Sequence, residues 1–101
     1  MTPESKIKKA INEYLDSIGA YHVPYFTNGY GRRGVPDRLV CYRGRFVALE
    51  VKSPGGSASA WQRREIASIV AAGGRAEVVW SVDDVREIIA RIDLERGQVA
   101  A

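Results

Sequence analysis

The chain has 101 residues, of which 46% are apolar, so it suits one domain with a core and is too apolar for a disordered tail. The net charge of +3 is uneven, because residues 1–64 hold eleven Lys or Arg against five acids, whereas residues 65–101 hold four against seven. The single cysteine, Cys41, excludes an intrachain disulfide and lies in an apolar run, where we expect a small core residue.

No signal peptide or apolar run long enough for a bilayer is present, so we expect a soluble cytoplasmic protein without a membrane partner. We interpret residues 1–101 as a single domain whose ends, residues 1–3 and 96–101, are frayed. The basic N-terminal half suggests a face that meets a polyanion, although solvated Lys and Arg would also keep a small protein in solution.

The first predicted element is a helix over residues 3–18. Thr2 can cap it, Pro3 takes the favoured first position, and apolar residues recur at helical spacing until Gly19. The aromatic and β-branched residues 20–27 predict a strand, in which Pro24 marks an edge or a bulge.

A glycine-rich loop leads from this strand to a predicted hairpin. Its strands cover residues 38–42 and 45–52, and Arg43-Gly44 forms the turn between them. A second glycine-rich loop then precedes a helix over residues 60–73, a short strand over 75–81 and an amphipathic helix over 82–97. The order α-β-β-β-α-β-α favours an α/β fold with a mixed sheet flanked by helices.

Three charged residues of the hairpin are candidates for catalysis. Glu50 and Lys52 share one face of their strand because a strand has a period of two. For a tight turn at Gly44, paired residues have numbers that sum to about 88, which places Asp37 near Val51 and level with the other two. Two carboxylates and a lysine would then meet at one end of the sheet.

Such a pair of carboxylates suits a hard divalent cation, Mg²⁺ or Mn²⁺, which relieves their repulsion. We expect Asp37 and Glu50 to hold the metal, with the backbone carbonyl of Val51 as a further ligand. Lys52 would orient or deprotonate a water, or neutralise charge that develops on a phosphodiester. The alternative for each short motif alone is a turn and an exposed strand face.

Glu4 is a candidate third carboxylate, because it falls on the apolar stripe of the first helix, whereas Glu13 lies on the opposite side. It could be a metal ligand or a base near the metal. An acid in the first turn is also favoured by the helix dipole alone, so both interpretations stay open.

These residues together resemble the VRR-NUC family of the PD-(D/E)XK nuclease superfamily. The resemblance runs from about Glu4 to about Ile89 and rests on these segments: Glu4, Gly34-Val35-Pro36-Asp37, Glu50-Val51-Lys52, Ser53-Pro54-Gly55-Gly56 and Gln62. It implies a restriction-endonuclease-like fold with an αβββαβ core and a Mg²⁺- or Mn²⁺-dependent nuclease. It also implies that Glu4 lies near the metal and that Gln62 faces the active site, although Gln62 alone would suit an ordinary exposed helix position.

The resemblance further implies a homodimer that acts on branched DNA, like the similar Holliday junction resolvases. We expect the protein in the cytoplasm of a bacterial or phage-infected cell. The interface could come from Trp61, Ile66 and Ile69 or from the strand around Tyr25 and Phe26, although core packing is the commoner role of such residues. For contact with DNA phosphates we predict a set of basic residues, in which Lys8 lies between two lysines of the first helix: Arg32, Arg33, Lys6, Lys8, Lys9, Arg63 and Arg64.

Other functions are less well supported by the residues. The loop over residues 29–34 lacks the helix and Lys-Ser/Thr pair of a phosphate-binding P-loop, so we expect no nucleotide cofactor. A catalytically silent DNA-binding or partner-dependent module of the same fold is the main alternative, and an RNA nuclease is a third. No base-reading motif is visible, which favours structure selectivity over sequence specificity.

Overall fold

The computed structural model describes the backbone of residues 1–100 and the side chains of residues 1–97. The order of elements is as predicted from the sequence: α1 (Pro3–Ser17), β1 (Tyr21–Pro24), β2 (Arg38–Tyr42), β3 (Arg45–Val51), α2 (Ala60–Ala71), β4 (Arg75–Val79) and α3 (Val82–Ala100). The fraying expected at the C-terminus falls partly on residues outside this description.

The sheet has the strand order β1-β2-β3-β4 within the described residues. Its first three strands form an antiparallel meander, and β4 joins β3 in parallel after the crossover through α2. This mixed sheet with flanking helices confirms the predicted α/β fold of the restriction-endonuclease-like type. The predicted edge role of Pro24 is also confirmed, because it ends the edge strand β1, which is shorter than the expected 20–27.

The hairpin between β2 and β3 sets the position of the site. Arg43 and Gly44 have φ values of 49° and 79°, so both adopt the left-handed conformation of a two-residue hairpin turn. Arg38 is paired with Leu49, which makes paired numbers sum to 87 and puts Asp37 level with Glu50. The predicted position near residue 51 was therefore wrong by one residue.

The core lies between one face of the sheet and the two long helices α1 and α3. Alternate residues of β3, including Leu49, enter it, and they meet Leu15 of α1 and Ile88 of α3. These three side chains are 1% exposed or less. Burial of apolar side chains is worth about 1.5–3 kcal/mol each, so this layer holds the hairpin rigidly in place.

The other face of the sheet is only partly covered, and this corrects the expectation for Cys41. Its strand neighbours Val40 and Tyr42 point into the core, so Cys41 points to the opposite face and is exposed. The register places it beside Tyr21 and Phe46, which are also exposed. The apolar run was a correct sign of a strand but carried no information about which residue faces out.

Candidate active site

Asp37 is anchored against the end of β3. Its Oδ2 atom accepts a hydrogen bond of 2.9 Å from the backbone N–H of Val51. Pro36, immediately before it, is fully buried, so the chain enters β2 from a rigid position. Asp37 therefore meets the end of the partner strand as predicted from the sequence, with the register shifted by one residue.

Glu50 is buried, at 2% exposure, although it is a charged residue. It shares its strand face with Lys52, and the Lys52 Nζ atom lies 3.5 Å from Glu50 Oε2. The other oxygen, Oε1, is buried without a hydrogen-bond partner among the described residues. Burial, with the nearby Asp37 carboxylate, raises the pKa of Glu50 to about 7, while Lys52 acts in the opposite direction.

This arrangement suits a divalent cation. Two adjacent carboxylates, one with an unpartnered buried oxygen, disfavour the ionised state unless a positive charge joins them. In the part of the chain that the structure describes, no group of three or more His, Cys, Asp or Glu residues is placed to hold a metal ion. The carboxylates that the geometry brings together are Asp37 and Glu50.

The predicted third carboxylate, Glu4, is linked to Asp37 through the side chain of Lys8. The Lys8 Nζ atom is 3.3 Å from Glu4 Oε2 and 3.9 Å from Asp37 Oδ1. Lys8 is therefore a residue of the site that the sequence prediction left on the basic surface of α1. The available signal was its position four residues after Glu4, which puts both side chains on one stripe of the helix.

Gln62 is used locally to begin α2. Its Oε1 atom accepts a hydrogen bond of 2.8 Å from the N–H of Ser59, while the Ser59 hydroxyl accepts one from the N–H of Gln62. This reciprocal pair is a capping box, which satisfies two backbone donors at the start of the helix. The structure thus gives Gln62 a capping role, and its expected role toward the active site remains a prediction.

The loop before Pro36 packs directly on the first turn of α2. Gly34 has φ +82°, and a Cβ atom there would lie 2.6 Å from the carbonyl oxygen of Trp61. Only glycine permits both this conformation and this approach. The glycine in the Gly-Val-Pro-Asp motif therefore connects the position of Asp37 to that of α2.

On its other side the site borders a glycine loop that is fixed by Trp80. The Trp80 indole N–H donates a 2.8 Å hydrogen bond to the carbonyl of Gly56. Lys52 donates its backbone N–H to the carbonyl of Val79, one residue before this tryptophan. The sequence indicated only a glycine-rich loop, and nothing in the local pattern could show this contact between the ends of β3 and β4.

The predicted basic residues lie in different local environments. The guanidinium groups of Arg33 and Arg64 lie 5.1 and 5.3 Å from the centre of the Trp61 ring. Arg32 pairs with Glu65 at 2.9 Å. Three others are exposed: Lys6, Lys9 and Arg63. Of these, Arg63 donates a hydrogen bond to the carbonyl of Ala58.

The fold and the site define the class of restriction-endonuclease-like nucleases. A solved structure described as "VRR_NUC domain" is similar over 89% of this chain and 97% of its own, with a TM-score of 0.76 and 27% identity. A second, described as "VRR_NUC domain protein", has the same fold, with a TM-score of 0.69 and 20% identity over 88% of this chain and 86% of its own. No family model matches the chain.

A relative of known sequence shows the family more directly. "Putative nuclease p44" of Acyrthosiphon pisum secondary endosymbiont phage 1 is 37% identical over 81 residues, which cover 79% of this chain and 85% of that protein. The chain therefore belongs to the VRR-NUC family of nucleases. Among the described residues, no helix is both long and apolar enough to cross a membrane.

Proposed function

We propose that the protein is a metal-dependent endodeoxyribonuclease that selects branched DNA by its structure. The observation that carries this proposal is the buried Glu50 carboxylate, which has Asp37 and Lys52 as charged neighbours and one oxygen without a partner among the described residues. Burial of a charge is costly unless a partner compensates it, and a divalent cation would do so here.

Asp37 and Glu50 would hold Mg²⁺ or Mn²⁺, with the carbonyl of Val51 and the Glu4 carboxylate as further candidate ligands. When bound, the cation would supply a positive charge that polarises a phosphodiester and lowers the pKa of a coordinated water. A ligand role for Glu4 requires that Lys8 release it, since the two form an ion pair at 3.3 Å.

The chain's own residues have separate tasks in this proposal. Lys52, whose side chain is 20% exposed, faces the space beside Glu50 and can orient a water or stabilise negative charge on phosphate oxygens. The Val51 N–H holds the Asp37 carboxylate in one orientation. Gln62, at the start of α2, would contact the substrate with the part of its amide that the capping box does not use.

The basic surface supports DNA as the substrate. Arg33 and Arg64 stack near Trp61 without a carboxylate within 4.0 Å among the described residues, so they can contact phosphates beside the site. Such contacts bind the backbone without reading its sequence. Lys6 and Lys9 would add phosphate contacts from α1, and Arg32 and Arg63 would add theirs after exchanging their present partners.

A homodimer is also proposed, because resolution of a four-way junction needs two cuts. All of α2 is described, and it has no buried residue, while Trp61 is 48% exposed and Ile66 and Ile69 are partly exposed. An amphipathic helix that leaves such residues in contact with water suits a contact with a second copy. We place this activity in the cytoplasm of a bacterial or phage-infected cell.

The test is cleavage of a matched panel that consists of a four-way junction, a 5′ flap, a single strand and a linear duplex of the same sequence. Each substrate is incubated with Mg²⁺, Mn²⁺ or EDTA, and RNA versions are included. We expect metal-dependent cuts on branched DNA, paired symmetrically on the junction, and a dimer by light scattering.

Lys52→Ala provides the matched control, because it keeps both carboxylates and removes the amine. Binding without cleavage by this variant would support the catalytic assignment. Cleavage of the RNA versions alone would mean that the substrate is RNA and not DNA. No cleavage of any substrate by folded wild-type protein would favour a catalytically silent DNA-binding module.

A further inference from the structure

A cavity of about 220 Å³ opens beside Asp37 on the α1 side of the sheet. It lies between α1, the end of β1 and the start of β2, and it shares Asp37 and Val51 with the candidate active site. The remaining walls include Asn12 and Phe26. A group in this cavity would therefore belong to a substrate whose reacting part lies at the carboxylates.

The walls are aromatic and apolar to an extent that phosphate contact does not require. Phe26 is 81% exposed, immediately after β1, and thus contributes little to the core. Tyr25, next to it, is fixed by a hydrogen bond of 3.2 Å from its hydroxyl to the carbonyl of Arg32. Aromatic side chains held at the mouth of a cavity suit a flat ring, because nucleobases stack on aromatic residues with about 1–3 kcal/mol each.

The polar atoms of the cavity match the edge of such a ring. The Asn12 side chain lines the cavity, and its Oδ1 atom is buried without a hydrogen-bond partner among the described residues, so a rotation of the amide would offer an acceptor to an N–H group. Lys8 and Arg38 also line the cavity and provide donors. A nucleobase carries both kinds of group on one edge, whereas a phosphate carries only acceptors.

The size of the cavity excludes a base pair. Pockets for drug-sized ligands have volumes of about 300–1,000 Å³, and this one is smaller, with room for a single heteroaromatic ring. A base that enters the cavity must first unstack and lose its base pair. The free-energy cost is lowest for a base that is already unpaired. We propose that the cavity binds one unpaired nucleobase of the DNA strand, close to the phosphodiester that is cut.

This inference rests on the proposed nuclease function and adds to it a reason for structure selectivity. A flap carries unpaired bases next to its branch point, and a regular duplex does not. The cavity would thus act as a subsite that admits the strand only where a base is free, and Phe26 would be a specificity-determining residue.

The test combines changes in the DNA with changes in the protein. Binding is measured in EDTA, so that no cleavage occurs, on a flap substrate in which an abasic site replaces each nucleotide near the branch in turn. We expect one abasic position to weaken binding by roughly 10-fold, from the stacking energy of one base. Phe26→Ala should produce the same loss on the intact substrate and no further loss on that abasic one.

Two further variants make the result specific. Tyr21→Ala removes another exposed aromatic residue, 70% exposed, from the opposite face of the same strand region, and it should keep the full abasic effect. Asn12→Leu removes the unpartnered acceptor, so it should leave the protein at least as stable while weakening binding of the intact substrate only.

Several outcomes would overturn the inference. Equal binding of all abasic substrates, or losses from Phe26→Ala and from the abasic site that multiply, would show that no base enters the cavity. If the protein still cuts branched DNA in that case, the proposed function stands without this subsite. A failure to bind any nucleic acid would overturn both.

Discussion

Two clusters of charged residues lie at opposite ends of the sheet, and they are compensated in opposite ways. The distal cluster consists of Arg75, Glu77, Arg91 and Glu95, in which each charge has a partner of opposite sign at 4.0 Å or less. The site cluster consists of Asp37, Glu50, Lys52 and Lys8, in which a buried carboxylate oxygen has no partner among the described residues.

The difference indicates what each cluster is for. Exposed ion pairs contribute about 0–1 kcal/mol each to the free energy of unfolding, so the distal cluster has little effect on stability. A buried and incompletely compensated carboxylate is costly, and such sites persist where function requires them. A buried carboxylate with too few partners of opposite charge therefore indicates the candidate active site better than the number of charged residues does.

The largest expected effect comes from breaking the site cluster at Asp37. Asp37→Asn keeps an oxygen that can accept the Val51 N–H but removes the charge, so we expect cleavage to fall by roughly 10³-fold with DNA binding retained. Single-turnover cleavage and anisotropy measure the two quantities. Asp93→Asn, which alters an aspartate bonded to Tyr42 and Arg43, is the control and should leave cleavage intact.

The next effect concerns Glu50 and the stability of the metal-free protein. Folding raises the pKa of Glu50 from its usual 4.5 to about 7, so its favourable contribution is complete below pH 4.5 and is lost as the pH rises through 7. Glu50→Gln should therefore be more stable than wild type at pH 8, by up to about 3 kcal/mol, and nearly equal at pH 4.

Urea unfolding in EDTA at both pH values tests this prediction. Addition of Mg²⁺ at pH 8 should stabilise the wild type and have a much smaller effect on the variant. Glu77→Gln, in the distal cluster, serves as the matched change and should gain no stability at high pH. A Glu50→Gln variant that is less stable than wild type at pH 8 would contradict the inference that burial destabilises the ionised form of this carboxylate.

A smaller effect is expected at the glycine that connects the site to α2. Gly34→Ala forces a Cβ atom to 2.6 Å from the Trp61 carbonyl, whereas a Cβ atom at Gly29, with φ +90°, would meet nothing within 4 Å. Both changes incur the cost of a left-handed alanine, about 1 kcal/mol, and Gly34→Ala should cost about 2–3 kcal/mol in total. Thermal unfolding compares the two, and equal losses would refute a steric requirement at Gly34.

The smallest effect belongs to the distal cluster itself. Arg91→Ala removes the ion pair with Glu77 at 3.3 Å and should lower the free energy of unfolding by less than about 1 kcal/mol. The loss should shrink in high salt, because the pair is partly exposed. Cleavage should be unchanged, and a marked loss of activity would mean that the two clusters are coupled through the sheet.

The sequence predicted the hairpin and its charged face well, because both depend on local rules. The Arg43-Gly44 turn and the period of two are enough to place Glu50 and Lys52 on one side of β3. The register was missed by one residue, because the number of residues in the turn decides it and the turn could be counted in two ways.

The remaining features depend on contacts between segments that are distant in the chain. Three features depend on how distant segments meet on the sheet: the position of Lys8 near Asp37, the bond from Trp80 to Gly56 and the exposure of Cys41. Gln62 shows the opposite case, since a Ser-x-x-Gln pattern before an amphipathic segment predicts a capping box locally, and the resemblance to a family drew attention to another role.

The strand order also has a consequence for how the protein folds. The first three strands are neighbours in the chain as well as in the sheet. In contrast, β4 pairs with β3 only after the intervening helix α2, so that Val47 lies beside Arg75. Hairpins form within about 1–10 μs, and distant strand pairs form more slowly. The meander, which carries both Asp37 and Glu50, is thus expected to form early, and closure of the parallel crossover to limit the folding rate.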